Sequence, residues 1–256
     1  MYIELFDIKG KSALVVGGAG GIGEKGCEML SKAGVNLAIA DINFIKAQSV
    51  SEKCKEKFGI ESYAIKVDIT NKVEVIEMVS SVEKTFGRID ILAFYVGYNN
   101  RQLIIDYPSD EWQKTLDINL TSVFHTTQSV AKVMKRNNGG KMVIISSIQG
   151  IIANPMYGPY AACKAGLIHY VKIIAQEWIK DGIFVNSIAP TATDTPFITD
   201  FLSKNPGKRE YFENNIPIGR LAKPEDYMGP LLFLCSHASD FIIGQCLIVD
   251  GGESLH

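Results

Sequence analysis

Tyr160 and Lys164 stand four residues apart in a stretch that reads as helix, so they share one face. A free tyrosine, with a pKa of about 10, is a poor base at neutral pH. A nearby ammonium favours the phenolate. Lowering the pKa by about three units takes ~4 kcal/mol of differential interaction. A tyrosine tuned in this way can pass a proton to or from an oxygen. The spacing alone also describes ordinary solvated helix surface, so the neighbours matter. Ser147 precedes Tyr160 by 13 residues and follows a predicted strand. Its hydroxyl there would hold a substrate oxygen against the tyrosine. Asn119 is a polar residue amid apolar neighbours. It reads either as a satisfied core amide or as a relay that holds a water near Lys164.

A second group of residues points to a nucleotide. The strand-like run Ser12 to Val16 leads into Gly17-Gly18-Ala19-Gly20-Gly21-Ile22-Gly23. Residues without Cβ let a backbone approach a pyrophosphate closely, and the helix expected next points free N–H groups at it. The same residues also suit a plain tight turn. Asp41 ends the second predicted strand, 24 residues after Gly17. That is close to the ~20 expected for a carboxylate on the adenosine ribose. A carboxylate there accepts from the 2′-hydroxyl and repels a 2′-phosphate, and no Arg sits in the turn or just after Asp41. NAD is therefore expected over NADP. The alternative for Asp41 is a cap on the following helix. Asp68, at the end of the third strand, either accepts from the adenine amino group or caps the turn before Thr70.

These groups need a frame, and the pattern of the chain supplies one. Predicted strands at 12–16, 36–40, 62–67, 90–96, 141–146 and 183–188 alternate with helical stretches, and 245–249 reads as a seventh strand. One helical stretch, 71–86, carries Val73, Ile76, Val79 and Val82 at helical spacing. Others cover about 109–136 and 159–180. Strands separated by helices must run parallel, and near-continuous apolar strands imply that both sheet faces are covered. The expected fold class is α/β: one Rossmann-type, doubly wound parallel sheet of about seven strands, forming a single domain over 1–256. Ligands of such sheets sit beyond the carboxyl ends of the strands. The stretch 190–224 is irregular and is expected to be a substrate loop or lid.

Composition narrows the function classes. Hydrophobic residues are 46% and charged residues 21% of the 256, which is globular and not disordered composition. Lys plus Arg is 26 against 28 Asp plus Glu. That balance gives no reason to expect a nucleic acid or an anionic membrane surface as partner. No apolar run approaches the roughly 20 residues of a membrane span. The opening residues, with Glu4 and Asp7, lack the basic start and apolar stretch of a secretory leader. The five cysteines are scattered, without a CxxC pair, which fits a reducing cytoplasm. His125, His169, His237 and His256 show no ligand spacing, so no metal is expected.

Taken together, these residues resemble the short-chain dehydrogenase/reductase family, in its ~250-residue subgroup. The resemblance spans essentially the whole chain. It rests on the Gly17 to Gly23 turn, Asp41, Asp68, Asn119, Ser147, Tyr160 with Lys164, Pro190 with Thr195, and the ending Asp250-Gly251-Gly252. It implies that Tyr160 is the acid/base, that Lys164 lowers its pKa and holds the nicotinamide ribose, that Ser147 orients the substrate oxygen, and that Asn119 serves a proton relay. Ile42, Ile69 and Gly97 join the expected cofactor contacts. Pro190, Thr193 and Thr195 join the expected nicotinamide contacts. A homotetramer is implied, with the helices around 109–136 and 158–180 at one interface.

Three places depart from the family pattern. Val16 stands where Thr is usual, Phe94-Tyr95-Val96-Gly97 where Asn-Asn-Ala-Gly is usual, and Thr191 where Gly is usual. In the family the threonine hydroxyl bonds to the Asn-Asn-Ala-Gly segment. Replacing both sides with apolar groups can be nearly neutral, so Val16 is expected to pack against 94–97. Phe94 and Tyr95 bring bulk next to the expected adenosine site. The family carries a hydride between a nicotinamide and a secondary alcohol or ketone. For the substrate, Arg101 after the fourth strand could bind a carboxylate in a bidentate fork, or it is a solvated surface group. The chain from Tyr98 onward resembles gluconate 5-dehydrogenases and related sugar-acid dehydrogenases. Gln149, Asn154 and Tyr157 are polar and lie between Ser147 and Tyr160, which leans to a polyol or sugar acid. Rival readings are a 3-oxoacyl thioester reductase and, outside enzymes, an idle nucleotide-binding scaffold or sensor.

Overall fold

A computed structural model describes residues 3–255; Met1, Tyr2 and His256 lie outside the described residues. The chain alternates strand and helix as β1 (Ser12–Val16), α1 (Gly21–Lys32), β2 (Asn36–Asp41), α2 (Phe44–Phe58), β3 (Ser62–Lys66), α3 (Lys72–Phe86) and β4 (Ile91–Phe94). It continues with α4 (Ser109–Leu116), α5 (Ser122–Arg136), β5 (Gly140–Ile145), α6 (Gly158–Trp178) and β6 (Ile183–Pro190). The last part holds α7 (Pro196–Lys204), α8 (Lys208–Asn215), α9 (Met228–Cys235) and β7 (Cys246–Val249). The seven strands form one sheet in the order β3-β2-β1-β4-β5-β6-β7, and every pairing is parallel. This is the doubly wound sheet expected from the pattern. Strand order reverses at β1, whose neighbours are β2 and β4, and a crevice opens beyond the carboxyl ends there.

Alternation along β1 shows how both faces are filled. Leu14 and Val16 join a core with side chains of α3, α5 and α6, while Ala13 and Val15 join one with α1, α2 and α9. Each fully buried Val, Leu or Ile contributes about 1.5–3 kcal/mol, so the sheet is clamped from both sides. Local signals set the helix ends. Asn43 and Asn71 cap α2 and α3 with their side chains, and Gly59 and Gly87 close them in the left-handed conformation.

Two sequence expectations change in detail. In α3 the buried face is Val75, Met78, Val79 and Val82, while Val73 and Ile76 are exposed. The stripe spaced 3, 4 and 7 from Val75 faces the sheet, and Val73 and Ile76 fall beside it. The long helical stretch at 109–136 is interrupted: α4 passes into a π segment at Asp117–Thr121 before α5 begins. Asn119 sits in that segment, and π turns displace main-chain hydrogen bonding locally.

Val16 meets the 94–97 segment as expected. It pairs in register with Phe94, both side chains are in one core cluster, and Val96 packs on the same cluster. Phe94 is buried in the sheet face. Tyr95 turns to the opposite face, where its ring fills the space left by the missing Cβ of Gly26. Among the described residues no helix is long and apolar enough to cross a membrane.

Candidate active site

A cavity of about 990 Å³ lies over the carboxyl ends of β1, β2, β4, β5 and β6. Its floor is built from the loops that follow those strands, and α7 and α8 of the 190–224 stretch border it. Lys164, Tyr160 and Ser147 all line it. The first two project from α6, where Pro159 occupies the first turn and tolerates its missing N–H. Ser147 follows β5 in extended conformation, and its Oγ accepts from the N–H of Gln149 at 3.1 Å.

Lys164 is buried, and its Nζ donates to the Ile145 carbonyl at 3.0 Å. Nζ lies 5.5 Å from the Tyr160 ring centre. Burial pushes the Lys164 ammonium down to about 8. Burial also pushes Tyr160 up to about 12, against a smaller opposing pull from the Ser147 hydroxyl. Desolvation of the phenolate is the larger effect.

Asn119 does not line the cavity. It is fully buried, and both ends of its side chain are taken. Nδ2 donates to the carbonyls of Tyr98 and Thr115 at 2.8 and 2.9 Å, and Oδ1 accepts from the Tyr98 N–H at 3.1 Å. It is a satisfied core amide that fastens the loop after β4 to the π segment.

The other end of the cavity fits a dinucleotide. Gly17, Gly20, Gly21, Ile22 and Gly23 line it. Gly17 has φ +79°, a conformation that favours glycine. A Cβ on Gly23 would run into the Gly17 carbonyl oxygen, so only glycine closes this cradle. α1 starts beside it with no side-chain cap, which leaves N–H groups for an anion. Asp41 does not cap α2; Asn43 does. Instead Oδ2 of Asp41 accepts from the Ala19 N–H at 3.0 Å and Oδ1 from the Asn43 N–H at 2.9 Å, which fixes the carboxylate at the cavity wall. Asp68 makes the turn contact considered for it, its Oδ1 accepting from the N–H and hydroxyl of Thr70, and the residue also lines the cavity. Ile42, Ile69 and Gly97 line the cavity too, as do Pro190, Thr193 and Thr195 at and after the end of β6.

Arg101 is not a solvated surface group. Its guanidinium carbon lies 3.8 Å from the Phe201 ring centre and 5.0 Å from that of Tyr157, with Phe212 at 5.8 Å. Phe201 and Phe212 belong to α7 and α8, so Arg101 joins the loop after β4 to those helices. Its Nη1 is buried without a hydrogen-bond partner. Tyr157 and Gln149 line the cavity, whereas Asn154 stands behind and donates to Gln149 Oε1 at 3.2 Å. Sequence reasoning missed Phe197, Phe212 and Glu253, which also line it. Apolar helix residues and a glutamate after the final Gly-Gly carry no spacing signal.

A family profile described as enoyl-(acyl carrier protein) reductase matches residues 17–254. The chain belongs to the short-chain dehydrogenase/reductase family. It is therefore an oxidoreductase of a family that binds a nicotinamide cofactor. Among relatives of this short-chain dehydrogenase, sorbose reductase SOU1 of Candida albicans is 34% identical over 98% of this chain and 89% of its own length. The 3-oxoacyl-[acyl-carrier-protein] reductase FabG of Thermotoga maritima is 33% identical over 96% of this chain and 98% of its own. The crystal structure of a gluconate 5-dehydrogenase from Burkholderia cenocepacia, in complex with NADP and tartrate, superposes with a TM-score of 0.95 at 30% identity, covering all of both chains.

Proposed function

We propose that this short-chain dehydrogenase is NAD(H)-dependent and interconverts a secondary alcohol and a ketone on a sugar acid or related polyol. One observation carries the reading: a single cavity gathers Asp41 at one end, Ser147, Tyr160 and Lys164 in the middle, and the unpaired Arg101 guanidinium beside them. The aldonate-directed relatives support the substrate class.

The glycine turn would hold the pyrophosphate and Asp41 the adenosine ribose. Lys164 would meet the nicotinamide ribose, and Thr193 and Thr195 the carboxamide. A bound nicotinamide supplies or accepts the hydride at the carbinol carbon. Tyr160, held protonated by its surroundings, donates its phenolic proton to the substrate oxygen in reduction and takes it back in oxidation. Ser147 donates to that same oxygen and keeps it in reach. With both ends of the Asn119 side chain committed, a proton relay at that position runs through its main-chain carbonyl. Arg101 takes a substrate carboxylate, which meets its desolvated Nη1. The 190–224 stretch acts as the lid, latched through the rings that Arg101 touches. Exposed Trp112, Phe124 and Ile173 on α4, α5 and α6 support a homotetramer with these helices at an interface, and the free thiols support a cytoplasmic setting. A 3-oxoacyl thioester reductase is the second reading, supported by the FabG relatives; Asp41 and Arg101 weigh against it.

The test is a fluorescence titration with NADH and NADPH, followed by turnover on ketones, polyols and sugar acids. The expected result is NADH at least about tenfold tighter than NADPH, a difference of ~1.4 kcal/mol, with turnover on a hydroxylated acid. Asp41→Ala should erase the preference. NADPH binding tighter with the wild type would overturn the cofactor assignment.

A further inference from the structure

Besides Arg101, the substrate end of the cavity holds a charged group that no motif marks. Glu253 follows the Gly251-Gly252 turn beyond β7, is partly buried, and lines the same space as Arg101, Tyr157 and Tyr160. The Thr191 hydroxyl donates to its Oε2. Thr191 follows Pro190 at the position where glycine is usual in the family, and a glycine could not make this bond. Among the described residues neither Arg101 nor Glu253 has an ion-pair partner, and they are not paired with each other. Both bear on Tyr157 with opposite sign: the guanidinium favours its phenolate and the carboxylate disfavours it. Tyr157 in turn lies against Tyr160, with ring centres 6.3 Å apart.

An unpaired cation and an unpaired carboxylate in one cavity constrain what can fill it. A buried charge left without a partner is costly. An apolar acyl chain would leave both unmet. A simple monohydroxy acid would answer Arg101 and leave Glu253. A second carboxylate would be repelled by it. We propose that Glu253, oriented by Thr191, is the part of the site that reads a substrate hydroxyl other than the reacting one, so that the substrate is a carboxylic acid bearing at least two hydroxyls. The inference rests on the dehydrogenase reading above. A hydroxyl is favoured over an ammonium because the Arg101 guanidinium and the Lys164 ammonium line the same cavity and repel a further cation. The Gln149 amide, whose oxygen accepts from Asn154, and the Ser147 hydroxyl line the same cavity.

The experiment compares a series of four-carbon acids that differ at one carbon, 2,3-dihydroxybutyrate, 3-hydroxybutyrate and threonine, with gluconate as a longer polyhydroxy probe. Values of kcat/KM are measured for the wild type, Glu253→Ala and Thr191→Gly, and NADH affinity is measured alongside. The wild type is expected to prefer the dihydroxy acids over 3-hydroxybutyrate by about 10- to 100-fold, the range of a hydrogen bond to a charged group. Glu253→Ala should collapse that ratio to within about threefold, Thr191→Gly should reduce it, and NADH affinity should hold in both. A ratio that survives in Glu253→Ala, or an equal loss on every acid, overturns the proposal while leaving the dehydrogenase reading intact. Preference for threonine overturns the hydroxyl in favour of an ammonium. A wild type that turns over none of the acids but does turn over neutral ketones removes the sugar-acid reading, and this inference with it.

Discussion

The two ends of the cavity are built by different means. The nucleotide end is mostly backbone: a glycine turn, the start of α1, and a carboxylate whose oxygens are pinned by main-chain N–H groups. Its glycine turn and carboxylate lie within about 25 residues of one another and follow from local steric rules. The substrate end is mostly side chain. Arg101, Tyr157, Phe201, Phe212 and Glu253 come from five separate segments, and only the folded sheet brings them together. The first end is shaped by what is missing, namely Cβ atoms; the second by what is left unpaired, namely two charges. A site of the first kind tolerates little change and keeps its ligand class. A site of the second kind can change ligand by changing one side chain.

Substitutions at the two ends, and at the joint between them, can separate these behaviours. The largest effect is expected from Gly23→Ala. The added methyl meets the Gly17 carbonyl oxygen, so the turn must open. Overpacking costs about 1–3 kcal/mol, and with a main-chain oxygen as the obstacle the upper end applies, so NADH affinity by fluorescence should fall by about 100-fold. If affinity survives, the backbone account of that end is broken.

At the joint stands Lys164, whose folded-state value is pushed down to about 8 from 10.5. Between those values the unfolded chain binds more protons than the folded one. Stability should therefore rise as pH increases from about 8 to 10.5, and be lost as pH falls back through 8. The full change is about 3 kcal/mol. Urea denaturation of the wild type and of Lys164→Met across this window should show the slope in the first and its absence in the second.

Arg101→Ala sharpens the contrast at the substrate end. It should lower kcat/KM for a hydroxylated acid by about 10- to 100-fold and leave NADH affinity alone, because Arg101 touches only rings and open cavity. Equal losses on acids and on neutral ketones would mean that Arg101 only props the 190–224 stretch.

This difference also explains what could be read from the sequence. The alternation of strands and helices, the glycine turn, Asp41 and the Ser147, Tyr160 and Lys164 group were all legible, because each depends on local spacing or on the period of apolar residues. The face of α3 was legible only in part, since Val73 and Ile76 fit the period but lie beside the buried stripe. The sign of the Tyr160 shift was not legible. A helix face puts Lys164 near the tyrosine, but how strongly burial pushes the phenol up depends on the packed cavity. Glu253 left no trace in the sequence, because its role depends on Thr191, sixty-two positions earlier. Asn119 was legible as a buried amide, while the π turn that carries it was not.

The central claim is that Tyr160 moves the proton in a hydride-transfer reaction at a site that binds NADH. The direct measurement is Tyr160→Phe, with NADH affinity by fluorescence and turnover by absorbance on the same preparations. The account predicts NADH affinity within about threefold of wild type and turnover down by about 10²- to 10⁴-fold, the usual contribution of a positioned acid/base. Turnover retained in Tyr160→Phe would contradict it.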